Sequence, residues 1–141
     1  MARHAFDCHL RWGDMDAYGH VNNVAFLSYL EEARVDMLFV HARDQGAERL
    51  ADGVIVVRHE IDYRRPLSFR PEPVRIETWV TGIDNASFRL AYDVRDGDVV
   101  YATAATTLAP FDLERQRLRR LLPEEKAVLA RYLDKEPQAV E

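Results

Sequence analysis

The stretch Arg11-Trp12-Gly13-Asp14-Met15-Asp16-Ala17-Tyr18-Gly19-His20-Val21-Asn22-Asn23 sets two carboxylates, a glycine, a histidine and paired asparagines immediately before an apolar, helix-like run. Such a carboxylate faces the unpaired N–H groups of a helix start. That arrangement can hold a carbonyl oxygen while its carbon is attacked or water is directed to it.

Downstream, Asn23 to about Ala42 follows a helical period. Phe26, Leu27, Leu30, Ala33, Met37, Leu38 and Val40 share one broad apolar face, with Glu32 and Asp36 directed away from it. Asn22 or Asn23 suits the N-cap, because an asparagine side-chain oxygen can accept from a first-turn N–H. The helix is expected to run roughly 27 Å, long enough to lie across a sheet. Upstream, His4 to Trp12 reads as a first strand, and Gly13 to Val21 as the loop carrying the motif.

A polar connector, Arg43 to Gly53, with room for one more helical turn, leads to strand-like sequence. Val54 to Tyr63 alternates, with Ile55, Val57, His59, Ile61 and Tyr63 on one face. Pro66, Pro71 and Pro73 bracket a loop. Val74 to Thr81 and Ala86 to Val94 are further strands, and Asp96-Gly97 signals a hairpin turn. Val99 to Ala109 is rich in alanine and threonine on both faces, as in a strand covered on both sides. Leu122 to Leu133 reads as a short helix with Pro123 in its first turn, and a frayed polar tail is expected after Asp134. Strand, long helix, then four strands joined largely by hairpins make an α+β domain in which the helix packs on an antiparallel sheet. One sheet face or edge is left as a subunit interface.

The 141 residues suit a single domain, and 48% hydrophobic with 30% charged residues is an ordinary globular balance. The net charge of −5 argues against a nucleic-acid partner but leaves room for an anionic ligand held by local arginines. Cys8 is the only cysteine, so no intrachain disulfide forms. The polar start and the lack of an apolar run near ~18 residues lead to the expectation of a cytoplasmic protein with no membrane partner.

Asp16 is the main candidate for chemistry, with Asp14 bracing the loop. His20 either orients substrate and tunes Asp16 or fills space at the helix start. Asn23 offers its backbone N–H as an oxyanion donor, a cap, or both. His59 reads as a hydrogen-bonded core histidine, and Arg34, inside the apolar arc, must snorkel or find a carboxylate. Arg64, Arg65 and Arg70, with Arg89 and Arg95 on a neighbouring strand, could hold phosphates. Arg115, Arg117, Arg119 and Arg120 read as a linker face. The chain has no Gly-x-Ser-x-Gly elbow, P-loop or Gly-x-Gly-x-x-Gly, and His4, His9, His20, His41 and His59 show no zinc spacing, so no metal is expected.

Residues Trp12 to Asn23, followed by Phe26, Tyr29, Leu30, Glu31 and Arg34, resemble the hotdog-fold acyl-CoA thioesterases, in particular the 4-hydroxybenzoyl-CoA thioesterase type. His20-Val21-Asn22-Asn23 is also similar to a stretch of plant acyl-ACP thioesterases. The resemblance implies a long central helix wrapped by a five- to six-stranded antiparallel sheet. It also implies homodimers or homotetramers with sites at the subunit interface, and a coenzyme A or carrier-protein thioester as substrate with no further cofactor. By position, Asp16 takes the place of the catalytic aspartate and Asn23 that of the residue whose N–H polarises the carbonyl.

Two departures stand out. His20, Asn22, Asn23 and Val24 replace the aromatic residues and proline of the hydroxybenzoyl enzyme, which tells against that acyl group. Its nucleotide-binding basic residues fall at Asp84, Asn85 and Ala86, leaving Arg64, Arg65 or Arg89 for the phosphates. Gly19, Val24, His59, Arg64, Arg65 and Arg89 are thus the candidate substrate-binding residues, beside Asp16, Asn23 and His20 as the catalytic set. A non-catalytic acyl-CoA binder is the alternative. A hotdog hydratase ranks third, because its Asp and His lie five residues apart with Asn-Pro between, whereas Asp16 and His20 are four apart.

Overall fold

The computed structural model describes residues 3–134, so the expected frayed tail lies outside the described residues. Strand β1 (His4–Cys8) is shorter than expected, and a 3-10 turn, Trp12–Asp14, takes up the motif's first residues. Helix α1 (Asn23–Val35) starts at Asn22, whose side chain accepts the Val24 N–H. It runs without a break into a π-helical turn, Asp36–His41, and a last α-helical piece, α2 (Ala42–Asp44). A 3-10 turn, Glu48–Asp52, fills the connector.

Strands β2 (Val54–Tyr63), β3 (Val74–Ile83), β4 (Phe88–Asp96) and β5 (Val99–Asp112) follow, then a two-residue β6 (Arg117–Leu118) and helix α3 (Pro123–Arg131). They form one antiparallel sheet in the order β1-β3-β4-β5-β2, with β6 on β5. Two of the three joins between successive long strands are hairpins. The third, β2 to β3, crosses the sheet, because β2 pairs with β5 and β3 with β1 and β4. The β4–β5 turn is Gly97-Asp98, one residue later than expected, with Gly97 at φ +56.

The inward face of the sheet carries Val74, Ile76 and Val80 of β3, Phe88, Leu90 and Val94 of β4, and Ala102, Ala104 and Leu108 of β5, all buried. Phe26, Leu30, Ala33, Met37 and Leu38 of the helix pack into the same core. The expected helical face is corrected at Leu27 and Val40, which are exposed, and at Asp36, which is bonded to His4 rather than turned outward. Tyr29 takes a buried position instead.

Alternation in β2 is corrected too. The register shifts between Val56 and Arg58, so Val57 is a bulge residue and the inward side passes from Val56 to His59. Ile55, Val56 and Val57 are exposed along this edge strand. Within the basic run, Arg119 is structural: its guanidinium grips the fully buried Glu125 at 2.8 and 2.9 Å. One long helix against an antiparallel sheet is the hotdog architecture.

Candidate active site

Backbone bonds shape the motif loop into a tight hook. Asp16 N–H donates to the His20 carbonyl at 2.7 Å, and Gly19 N–H to the Asp16 carbonyl at 3.1 Å. Gly19 closes the turn at φ +76, where a side chain would be strained. Asp16 Oδ1 accepts from the N–H of Tyr18 (2.9 Å) and of His20 (3.2 Å), which fixes the carboxylate's direction. Asp14 braces the loop as expected: its carbonyl takes the Asn22 N–H, and its Oδ2 accepts from the Tyr29 hydroxyl at 2.8 Å.

At the start of α1, Asn22 accepts the N–H groups of Val24, Ala25 and Phe26 through its side chain and carbonyl. The Asn23 N–H makes no hydrogen bond among the described residues, although the Asn23 carbonyl accepts from the Tyr63 hydroxyl at 2.9 Å. An unengaged first-turn amide carries the partial positive charge of the helix N-terminus.

Asp16, His20 and Asn23 line one cavity of about 360 Å³ together with Phe26, Tyr63, Arg64 and Arg65. Gly19 and the far side of Asp16 border a separate hollow with Trp12 and Phe69, whose rings meet edge to face at 5.5 Å. A further cavity of about 340 Å³ opens beyond the first turn of α1, between Val24, Leu27, Ser28, Glu31 and Arg34 of the helix and Val56 and His59 of β2. Both volumes suit a small-molecule ligand.

Residues 10–132 match the model of the thioesterase-like superfamily. The chain belongs to that superfamily. It is 33% identical over 128 residues, covering 88% of this chain and 92% of the relative, to a 1,4-dihydroxy-2-naphthoyl-CoA hydrolase of Synechococcus elongatus. Among solved structures, a predicted thioesterase from Bacillus stearothermophilus superposes with a TM-score of 0.84 at 19% identity, over 96% of this chain and all of that one, a likeness of fold. A Thermus thermophilus thioesterase complexed with coenzyme A and Zn is 25% identical with a TM-score of 0.77, over 95% and 96% of the two chains.

As a member of this superfamily the enzyme is a thioester hydrolase. Its predicted site residues divide sharply. Asp16, His20, Asn23, Arg64 and Arg65 converge on the first cavity, and Val24 and His59 on the second. Arg89 does not join them. It sits on β4 opposite Thr107, whereas Arg64 follows β2 at the Tyr101 level of β5, so β5 lies between the two. Arg70 is held by Asp96 at 2.6 Å and Arg95 by Asp93 and Glu77, so the expected five-arginine cluster shrinks to two. The loop residue Arg70 is claimed by a carboxylate of distant β4, and Arg95 by one on its own strand and one on β3.

Arg64 donates to the Thr103 hydroxyl at 3.3 Å, whereas no described residue binds the exposed Arg65 guanidinium. His59 is hydrogen-bonded as the core reading expects: its Nδ1 pairs with Thr106 Oγ1 at 2.7 Å, while its buried Nε2 has no hydrogen-bond partner among the described residues. Burial, then the Arg34 charge, hold its pKa below the ordinary histidine value. Arg34 meets Glu31 at 3.9 Å, and its positive charge acts on the buried Tyr92 hydroxyl. Sequence reasoning missed Tyr29 and Tyr63, which tie Asp14 and Asn23 in place. The alternation of Val54 to Tyr63 puts Tyr63 on the same strand face as His59, and that is the available signal.

Proposed function

We propose that the enzyme hydrolyses acyl-CoA thioesters at the first cavity, with Asp16 as the reactive carboxylate and the Asn23 N–H as the oxyanion donor. One observation carries the reading: a carboxylate aimed by two backbone N–H bonds lines the same cavity as an unengaged helix-start amide. With the thioester carbonyl oxygen on the Asn23 amide, negative charge developing on that oxygen meets the helix dipole. Donors of this kind are worth about 100- to 1,000-fold in turnover.

Two routes share this geometry. Asp16 attacks the carbonyl carbon and expels the coenzyme A thiolate, forming a mixed anhydride that water then cleaves. Alternatively, Asp16 takes a proton from water, which attacks directly and expels the same thiolate. Oxygen-18 from labelled water entering the Asp16 carboxylate in a single turnover marks the first route. His20 borders the carboxylate, and Arg65, with Arg64 beside it, takes the coenzyme A phosphates.

The replacements at His20, Asn22, Asn23 and Val24 tell against 4-hydroxybenzoyl itself, and for the acyl group we favour another hydroxylated aromatic one, seated in the second cavity. The cavities meet α1 at the successive residues Asn23 and Val24, and the mixed apolar wall carries a buried imidazole nitrogen suited to a hydroxyl. The 1,4-dihydroxy-2-naphthoyl-CoA hydrolase named among the relatives accords with this. The working molecule is a homodimer built on the β2 edge.

The test is a panel of aliphatic, benzoyl and hydroxyaryl coenzyme A thioesters, assayed by thiol release in the wild type and in Asp16→Asn. The amide oxygen of asparagine still accepts from Tyr18 and His20, so the loop keeps its shape while the charge is lost. Turnover is expected to fall about 100- to 10,000-fold, with hydroxyaryl thioesters the best wild-type substrates. Full activity in Asp16→Asn sinks the assignment. Binding without thiol release by the wild type points to the non-catalytic acyl-CoA binder.

A further inference from the structure

We infer that His4, Asp36 and His41 form a binding site for a divalent transition-metal ion, separate from the thioesterase cavities. The three come from distant parts of the chain. His4 opens β1 and is 8% exposed, while Asp36 and His41 begin and end the π-helical turn. His4 Nε2 stands 2.7 Å from Asp36 Oδ2, and His41 Nε2 stands 3.5 Å from the same oxygen. The two imidazole rings are 4.8 Å apart, and one ligand atom from each residue lies within 4.8 Å of the others.

The backbone gives a second, independent reason. In an α-helix, residues five apart differ by roughly 140° around the axis, so Asp36 and His41 would diverge. Here Ala42 N–H bonds the Met37 carbonyl, the i to i+5 pattern that brings residue i+5 back over residue i. The departure from α-geometry is confined to the turn that these two residues bound. It points both side chains at the strand carrying His4.

The chemistry of the set selects the ion. Two imidazoles and one carboxylate suit Zn2+ and its first-row neighbours, whereas Mg2+ and Ca2+ prefer all-oxygen sites. Tetrahedral coordination by such ligands sets their atoms about 3.3 Å apart, so closure needs the His4–Asp36 pair, now at 2.7 Å, to open. It also needs the imidazole nitrogens of His4 and His41, within 4.8 Å of each other, to draw together by up to about 1.5 Å, a movement that the half-exposed His41 side chain supplies. His41 is half exposed, which supplies an entry path and leaves a fourth position for water. The metal's role here is structural: it would clamp the short edge strand β1 to the end of the long helix.

Chelator-stripped protein titrated with Zn2+ alone, by calorimetry, is expected to bind one ion per chain and to gain thermal stability, with no response to Mg2+. Co2+ is expected to give the visible spectrum of a low-symmetry nitrogen and oxygen site. In His41→Ala the His4–Asp36 bond persists, so the fold is retained and circular dichroism checks it. Losing a ligand should weaken Zn2+ binding beyond the roughly 10- to 100-fold typical of a lost supporting hydrogen bond, and Asp36→Asn should do the same. Thioester hydrolysis in His41→Ala is expected to stay at the wild-type level. No uptake by the wild type, or equal uptake by wild type and both variants, overturns the site.

Discussion

His59 shows how a core histidine gains a pH dependence from its surroundings. It sits on the inward side of β2, hydrogen-bonded to Thr106, with Arg34 and Glu31 facing it from α1 and the Tyr92 ring 6.5 Å away on β4. Burial, with help from the Arg34 charge, lowers its pKa from the ordinary 6.5. The unfolded chain therefore takes up this proton at a higher pH than the native one does. The stabilisation is complete above about pH 6.5 and is lost as pH falls through the native value. Urea unfolding at about pH 7.5 and about pH 5.5 should show lower stability at the acid end, before carboxylates titrate. His59→Gln should reduce that difference, and an unchanged difference would refute the argument. What could be read at this scale was whatever local chemistry decides: Asp14 as a loop brace, the glycine turn and the asparagine cap. Partners across the sheet, such as Asp96 for Arg70, could not be read, because pairing through long side chains depends on strand order.

Among the elements, helix α1 and strand β2 were located from periodicity, and β2 fell on its expected bounds, Val54–Tyr63. Irregularities inside them were not legible. A π-turn or a bulge adds one residue to the count without a composition signal, and both shift the phase of everything beyond. That is why Val40 and Val57 lie outside although the pattern put them inside. The start of β2 supplies a prediction. Gly53 accepts from the Phe111 N–H at 2.9 Å, and a Cβ at Gly53 would stand 2.4 Å from the Phe111 carbonyl oxygen. Backbone cannot yield as a flexible side chain would. Gly53→Ala is expected to cost about 1–3 kcal/mol, as overpacking does, read from the urea midpoint at unchanged slope. Gly82→Ala, where nothing lies within 4 Å, is the control and should change little.

For the whole molecule, helix-on-sheet architecture followed from the element order, but the β2-to-β3 crossover did not, since hairpins are local and strand choice is not. The crossover leaves β1 and β2 as the two sheet edges, and only β2 is long. Its exposed Val56 meets exposed Val24 and Leu27 of α1 in the second cavity, and Ile55 and Val57 are exposed on either side of it along the strand. Val35, Phe39 and Val40 extend the apolar surface along the helix. A long edge strand with free backbone groups and apolar side chains invites another strand unless something covers it. A second copy related by a two-fold axis would pair β2 with β2, extend the sheet and bury both helical faces. Light scattering is expected to give twice the chain mass of 16.3 kDa. Val57→Lys places a charge on the bulge of that edge, where pairing with a second strand would bury it. It should yield a folded monomer with weakened hydrolysis, because the second cavity would lose the wall supplied by the other subunit. A wild-type monomer at assay concentration, or a Val57→Lys dimer of full activity, would place the interface elsewhere.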